Sequence, residues 1–428
     1  MFLGNAVRVV ADSFWGIPAI FLFVGGGLYA SFRLRFVQFA CLPQAFSATL
    51  RPKKEKGGTS SLSALAASLG AVMGPGNIIG VASAVLLGGS GSVFWMWVSA
   101  WLGMALRYAE SYLAVRYREV SDGCNVGGAM YIFRKKGMPV LAVVFSVAGI
   151  IVSLIMADAV PSASLGSALE LSFGLEPKIT GIILSVFTAI VVFGGAKRII
   201  KWSEIIVPLV CVFYVFLSFG VFVSEPALAF KGLGSIFKNA FSLNAGFGGL
   251  VGVVIRQGLA KGVFSHEAGM GTDPILAAST SEKDPKIQGL VSMLGPFLDT
   301  VVFCTLTAVV IVMSENSGTN TASMARNAFC DFFPSFGGWA LDTVLLLLVL
   351  ATLSSWAFYG EACVRFLTVR KLWVWIYRGI YSIVPLVFCG ADLAFLLAAG
   401  DLATAFMAVP NVVLCILFIS EVKSPIIK

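Results

Sequence analysis

The sequence Gly74-Pro75-Gly76-Asn77 interrupts a long apolar segment, Ser61 to Leu87, near its middle. Glycine and proline do not sustain a regular helix, so backbone polar groups lose their partners inside the segment. A bilayer provides no water for such groups, and irregular backbone is tolerated at membrane depth only where it lines a cavity within the protein. In secondary transporters that cavity holds the substrate and the coupling ion. The break therefore predicts a membrane carrier.

Composition agrees with a polytopic membrane protein. Of the 428 residues, 58% are hydrophobic and 12% are charged, whereas soluble domains are roughly 45–50% apolar and about 25% charged. The net charge of +8 is dispersed among short connections, which indicates membrane topology and argues against a nucleic-acid partner. The eight cysteines lack paired metal spacing and are interpreted as structural thiols. No removable signal peptide is predicted.

Apolar runs of about 20 residues predict about eleven transmembrane helices, so the predicted fold is all-α and nothing indicates strands. The predicted spans are Phe14 to Ser31, Ser61 to Leu87, Val93 to Tyr117, Val140 to Ala157, Ile179 to Gly195, Glu204 to Val223, Ala245 to Ala278, Gly289 to Met313, Trp339 to Phe366, Leu372 to Cys389 and Leu402 to Ile419.

Lysine and arginine collect in alternate loops, which predicts that those loops are cytoplasmic. The richest are the loop before the second span, with Arg51 and Lys53, and the loop after the third, with Arg134 and Lys135. An odd number of spans with this alternation predicts that the N-terminus lies outside and the C-terminus in the cytoplasm.

A second break lies in the seventh span, where Phe264-Ser265-His266-Glu267-Ala268-Gly269-Met270-Gly271 interrupts another apolar run. It comes five spans after the first, so the two broken helices are expected to cross the membrane in opposite directions, as in an inverted repeat. The predicted organisation is an extra N-terminal helix and basic loop over residues 1–60, a first half over 61–225 and a second half over 226–428.

The motifs carry a specific resemblance over nearly the whole chain. Its elements are Gly74-Pro75-Gly76-Asn77-Ile78-Ile79-Gly80-Val81, Phe94-Trp95-Met96-Trp97, Ala109-Glu110, Gly127-Gly128-Ala129-Met130-Tyr131, Lys261 through Gly271, Asp299-Thr300 and Trp356 through Glu361. Together they resemble the alanine or glycine:cation symporter family. The resemblance implies the inverted-repeat fold of leucine-type sodium symporters, sodium-driven uptake of alanine or glycine, and a location in the cell (cytoplasmic) membrane.

An amino acid zwitterion needs donors for its carboxylate and acceptors for its ammonium, and broken helices offer both at their half-helix ends. We predict that the carboxylate lies against the backbone of Gly74, Gly76 and Asn77, although small residues also serve close helix packing. The ammonium is expected at carbonyls of the second break, from Phe264 through Ser265 to His266.

The cation is predicted to bind oxygen ligands at Val72, Thr352 and Ser355. Thr352, Ser354 and Ser355 supply hydroxyls on the ninth span, and the resemblance implies that this helix helps to hold sodium and that Thr352 lines the substrate pocket. The alternative for such hydroxyls is a hydrogen bond to their own helix. No other metal and no cofactor is predicted.

The resemblance also implies that Trp356 limits the size of the substrate side chain. A wall of Trp356, Phe264 and Met270 would admit hydrogen or methyl, although most tryptophans of a membrane protein pack against lipid or core. Of the charges within spans, Arg107 and Glu110 could pair on one helical face. Glu267 is predicted to gate or form an ion pair, with packing support as the alternative.

The chain departs from the family pattern in three places, at four residues in all, and these departures leave the substrate and the ion open. Pro75 stands where the family usually has threonine, Pro161 and Ala163 stand where it commonly has glutamine and asparagine, and His266 stands where it has asparagine. His266, the only histidine, could couple transport to protons. Its alternative role is a neutral hydrogen-bonding substitute for asparagine.

The predicted function is cation-coupled symport of a small neutral amino acid by a monomer in the lipid bilayer, with sodium as the first choice of ion. The alternatives are a proton-coupled carrier that uses His266, a channel, or a sensor that binds without translocation. An enzyme is not predicted, because no metal-binding His-x-x-x-His pair, Gly-x-Ser-x-Gly elbow or phosphate-binding loop is present.

Overall fold

The computed structural model describes residues 15, 17–50, 60–121, 123–241, 249–315, 318 and 321–426. Most of the basic loop predicted before the second span, residues 51–59, and the start of the seventh predicted span therefore lie outside the described residues. Within the described part the chain is predominantly helical, as predicted.

The first half of the described chain contains ten α-helices, one β-hairpin and two π turns. They are α1 (Ile17–Arg33), α2 (Val37–Ala40), α3 (Leu42–Leu50), α4 (Ser61–Val72), a π turn (Gly76–Gly80), α5 (Val81–Gly88), α6 (Ser92–Tyr117), β1 (Glu119–Ser121), β2 (Cys124–Val126), α7 (Ala129–Lys135), α8 (Pro139–Leu154), a π turn (Ile155–Ala159), α9 (Val160–Phe173) and α10 (Pro177–Val192).

The remaining described elements are helical. They are α11 (Ala196–Ser224), α12 (Pro226–Ala240), α13 (Gly249–His266), α14 (Asp273–Ser279), α15 (Pro285–Ser292), α16 (Leu294–Pro296), a π turn (Phe297–Cys304), α17 (Thr305–Met313), α18 (Thr321–Phe332), α19 (Gly337–Leu367), α20 (Lys371–Phe388), α21 (Leu393–Phe418) and a 3₁₀ turn (Ile419–Glu421).

Five helical segments of the described chain are long and apolar enough to cross a membrane. They are Pro139–Phe173, Ala196–Ser224, Pro285–Met313, Gly337–Leu367 and Phe395–Glu421, and the bent pair Ser61–Val72 and Gly76–Gly88 adds a sixth. The exact number of spans therefore stays a prediction.

The fourth predicted span, Val140 to Ala157, is too short. The helix continues through a π turn to Phe173, and Pro161 lies in the first turn of α9. The prediction that the chain has no strands is also wrong, since β1 and β2 pair antiparallel in the connection after α6. A search for apolar runs of about 20 residues does not detect three-residue strands in a polar connection.

Candidate functional site

Both predicted breaks are present. Between α4 and the segment that starts at Gly76 the chain bends by 57°. The second break separates α13 from α14, and three of its residues have positive φ: Glu267 at 52°, Gly269 at 94° and Gly271 at 82°. A left-handed backbone is costly for a residue with a Cβ, so Glu267 is held there by its surroundings.

In the first break, the amide of Gly76 is the one that remains available. The Gly74 N–H donates to Asn77 Oδ1 at 3.2 Å, Pro75 has no N–H, and the Asn77 N–H donates to the Gly74 carbonyl. No partner of the Gly76 N–H is found among the described residues. Gly76 is exposed, and a Cβ built on it would meet no atom within 4 Å. Of the three predicted carboxylate positions, only Gly76 therefore presents a free donor to open space.

Thr352 and Ser355 of α19 lie against the first broken helix, as predicted. A Cβ on Gly74 would lie 3.0 Å from Thr352 Oγ1, and one on Gly70 would lie 2.8 Å from Ser355 Oγ. Val72 lies between these two glycines, and no donor to its carbonyl is found in the part of the chain that the structure describes.

These hydroxyls also make the local bonds expected of helical serine and threonine. Thr352 Oγ1 donates to the Leu348 carbonyl at 3.0 Å, Ser354 Oγ donates to the Leu350 carbonyl at 2.7 Å, and Ser355 Oγ lies 3.0 Å from Ser203 Oγ.

Asp299 joins the two breaks. Its Oδ1 accepts from Asn77 Nδ2 of the first break at 2.6 Å, and its Oδ2 accepts from Ser265 Oγ of the second at 2.6 Å. Thr300 Oγ1 also donates to Oδ2, at 2.8 Å, and Asp299 is fully buried. In the sequence, Asp299 lies within the predicted span Gly289 to Met313, and its partners are not predicted. A charged residue at that depth was the signal for its role.

The predicted ammonium site is partly occupied by the protein itself. Arg107 Nη2 donates to the His266 carbonyl at 2.5 Å, so a guanidinium already holds that oxygen. For the carbonyls of Phe264 and Ser265, no donor is found within the described residues. The substrate ammonium is therefore expected at the carbonyls of Phe264 and Ser265 alone.

Arg107 does not pair with Glu110, contrary to the prediction. Its Nη1 lies 3.9 Å from Asp273 Oδ2, while Glu110 Oε1 accepts from Asn411 Nδ2 at 2.5 Å. Asn411 also donates to the Gly269 carbonyl at 2.9 Å. Both charges of α6 therefore support the second break, Arg107 directly at the His266 carbonyl and Glu110 through Asn411 of α21.

His266 is held as a neutral imidazole by its hydrogen bonds. Its Nδ1 accepts from the Ala268 N–H at 3.1 Å, so that nitrogen carries no proton. Its Nε2 lies 3.3 Å from Ser99 Oγ, whose own proton goes to the Met96 carbonyl at 2.9 Å. A second proton would face the Ala268 N–H and the nearby Arg107. The geometry supports the asparagine-like role and not the proton-coupling role.

The aromatic rings of the predicted wall, Trp356 and Phe264, each contact a different ring and do not contact one another. Phe264 contacts Trp15 in a tilted arrangement, with ring centroids 4.4 Å apart, and Trp356 meets Tyr359 edge to face at 5.4 Å. Trp356 Nε1 donates to the Ala71 carbonyl at 3.2 Å, which fixes the ring beside the first break. Met270 is buried, and Glu267 Oε2 accepts from Thr272 Oγ1 at 3.3 Å.

Comparisons with known proteins show the family to which the chain belongs. A family model described as the sodium:alanine symporter family matches residues 1–428. The chain belongs to the sodium:alanine symporter family. The sodium/alanine symporter AgcS of Methanococcus maripaludis is 36% identical over 98% of this chain and 96% of its own length.

Solved structures similar to this member of the sodium:alanine symporter family are transporters. A mutant manganese transporter from Eremococcus coleocola matches with a TM-score of 0.59 at 13% identity, over 85% of this chain and 79% of that one. A Na+-coupled sialic acid symporter in a substrate-bound outward-open state matches with a TM-score of 0.54 at 13% identity, over 96% and 87%. At this identity the similarity concerns the fold alone.

Proposed function

We propose that this member of the sodium:alanine symporter family carries alanine or glycine across the membrane together with sodium, by alternating access. The observation that supports this most is the meeting of the two breaks at Asp299. A buried acid without a basic partner needs compensating positive charge. A sodium ion or the ammonium of the substrate supplies that charge when the site is loaded.

The site residues of the proposal follow from their surroundings. The Gly76 amide, with its open approach, is assigned to the substrate carboxylate, and the carbonyls of Phe264 and Ser265 are assigned to its ammonium. The Val72 carbonyl and the hydroxyls of Thr352 and Ser355 are assigned to sodium, which prefers oxygen ligands. Trp356, hydrogen-bonded beside the first break, limits the substrate side chain.

The inverted repeat and the orientation belong to the same proposal. Two halves, 61–225 and 226–428, would each contribute one broken helix, preceded by an extra helix in residues 1–60. The N-terminus would lie outside and the C-terminus in the cytoplasm, as the distribution of lysine and arginine favours. We propose that the chain works as a monomer.

The test is uptake of labelled alanine into proteoliposomes, with an inward sodium gradient compared with an inward proton gradient at matched membrane potential. Accumulation under the sodium gradient is expected, with competition by glycine and little by leucine. His266→Asn is the matched variant, since an asparagine preserves hydrogen bonding without a titratable ring. Failure of alanine to accumulate under either gradient would overturn the proposal.

A further inference from the structure

One buried carboxylate lies apart from this site. Asp158 is in the π turn between α8 and α9, and it is 0% exposed. Its Oδ1 is 3.5 Å from Ser162 Oγ, at the limit of a hydrogen bond. Among the described residues, no hydrogen-bond partner of its Oδ2 is found. π turns within α-helices occur frequently at functional positions.

The backbone beside Asp158 also lacks a donor. Pro161 follows three residues later and has no N–H, so a carbonyl of the preceding turn loses its helical partner. Among the described residues the Oδ2 carboxylate oxygen thus has no donor, and the same turn of helix has one backbone donor fewer than a regular helix. A hydrogen atom on the carboxyl group would satisfy this shortage of donors.

In the part of the chain that the structure describes, no positively charged side chain forms an ion pair with Asp158. Apolar side chains form the adjacent cluster, which consists of Ala159, Val160, Ala163, Val384 and Leu396. The elements packed against the π turn are α8, α9, α19, α20 and α21.

The titratable groups on these elements are engaged elsewhere. On α20, Tyr377 OH lies 3.1 Å from Ser153 Oγ, and Tyr381 OH donates to the Leu353 carbonyl at 2.9 Å. On the same helix, Arg378 forms a two-point ion pair with Glu361 of α19.

On α21, Asp401 is an acid and brings no positive charge; it interacts electrostatically with Lys261 of α13. An ionised carboxylate that is alone in an apolar interior is so unfavourable that the group becomes neutral instead.

We infer that Asp158 is a proton-binding site, which holds a proton in the conformation described here and exchanges it during the transport cycle. The O–H bond of the carboxyl group breaks when the site meets water, and the proton leaves to that water. The binding of the proton stands on the geometry of Asp158, whereas its exchange during transport rests on the proposed function.

A sodium ion fits this position less well than a proton. Sodium takes several oxygen ligands, and the turn offers the carboxylate, one serine hydroxyl and one carbonyl within an otherwise apolar cluster. A proton needs only the carboxylate that is already there. The structure therefore distinguishes Asp158 from His266 as a site of protonation. Both ring nitrogens of His266 are engaged, whereas no partner of Asp158 Oδ2 is found among the described residues.

The first experiment is infrared difference spectroscopy on the purified full-length protein labelled with ¹³C-aspartate. A carbonyl band of a protonated carboxylic acid is expected, which Asp158→Asn removes and which disappears at alkaline pH. Asp342→Asn is the matched control, since Asp342 is also buried but pairs with Arg326 at 3.5 Å, and it should leave the band unchanged. If Asp158→Asn does not fold, Ser162→Ala should shift the band. Absence of the band, or a band insensitive to both variants, would overturn the inference.

The second experiment measures exchange during transport, by sodium-driven alanine uptake over a pH series. One linked proton changes the apparent alanine affinity by up to about tenfold per pH unit, and Asp158→Asn should abolish that slope while Asp342→Asn retains it. If the infrared band is present but the apparent alanine affinity of the wild-type protein does not change with pH, the inferred exchange of the proton during transport is wrong. Absence of uptake at every pH, with the band present, would overturn the proposed function and leave the binding of the proton standing.

Discussion

Asp299 is the residue on which both broken helices depend. Its two oxygens take hydrogen bonds from Asn77 and Ser265, which are 222 and 34 residues away along the chain. A carboxylate that accepts such charge-assisted bonds holds both side chains in place, and its charge offsets a bound cation.

Replacement of Asp299 by asparagine should weaken cation binding. The variant keeps the shape of the side chain but loses its charge, and hydrogen bonds to a charged group contribute about 1.5–3 kcal/mol. We expect the sodium concentration for half-maximal alanine uptake to rise about ten- to hundredfold. Asp342→Asn is the control, and an unchanged sodium dependence would exclude a role for the Asp299 charge.

Two glycines of the first break should respond differently to the same methyl group. Gly76→Ala places its Cβ in open space, beside the amide assigned to the substrate. It should raise the alanine concentration for half-maximal uptake without lowering the melting temperature. If Gly76→Ala transports normally, the carboxylate does not lie there.

Gly74→Ala should instead reduce uptake by destabilising the protein. Its Cβ would lie 3.0 Å from Thr352 Oγ1, so the threonine must move from its place in the break. We expect a lower melting temperature together with reduced uptake. Thr352→Ser in the same chain should restore part of the stability, because it removes a methyl group and lets the hydroxyl turn away. A double variant no more stable than Gly74→Ala would show that the strain lies elsewhere.

At the scale of elements, α6 and α13 pack through small residues. A Cβ on Gly262 of α13 would collide with Ser99 Oγ and approach Met96 Cα to 3.1 Å. Such close contacts are typical of helices in membranes, where small residues let backbones approach.

A larger residue at Gly262 should therefore separate the two helices. Gly262→Val is expected to destabilise the protein by about 1–3 kcal/mol, as overpacking does. Gly379→Val on α20 is the control, since a Cβ there meets no atom within 4 Å. Thermal unfolding in detergent, followed by size-exclusion chromatography, measures both, and equal melting temperatures would contradict the packing argument.

The sequence predicted the breaks well because glycine and proline act locally. Gly74 to Gly76 and Gly269 to Gly271 prevent a regular helix whatever surrounds them. The partners of the polar residues could not be predicted, because they come from distant helices. Asn411 and Glu110 are 301 residues apart, and only the packed fold decides that Arg107 contacts Asp273 and the His266 carbonyl.

Over the whole molecule, burial differs between the two ends of the broken helices. Every residue from Ala64 to Pro75 and from Ala268 to Ala278 is buried. By contrast, Gly76 and Leu87 on one broken helix and Val253 and Arg256 on the other are exposed. We therefore expect access to the breaks at the end of the molecule that carries Leu87 and Arg256.

Thiol labelling should detect this asymmetry. In a Cys124→Ser background, which removes an exposed native thiol, Gly80→Cys should react with a membrane-impermeant maleimide added outside intact cells. Ala277→Cys, at a buried position, should not react from that side. Equal labelling of the two cysteines would contradict a pathway closed at one end.

The shared carboxylate of Asp299 has a mechanical consequence. Because one side chain bridges Asn77 and Ser265, neither broken helix can tilt far without pulling the other or breaking a buried hydrogen bond. Dyes on the outer ends of α5 and α13 should therefore keep a nearly constant separation in single-molecule fluorescence, while the distance from either to α19 fluctuates. The two broken helices would then move together as one rigid body that is joined at Asp299.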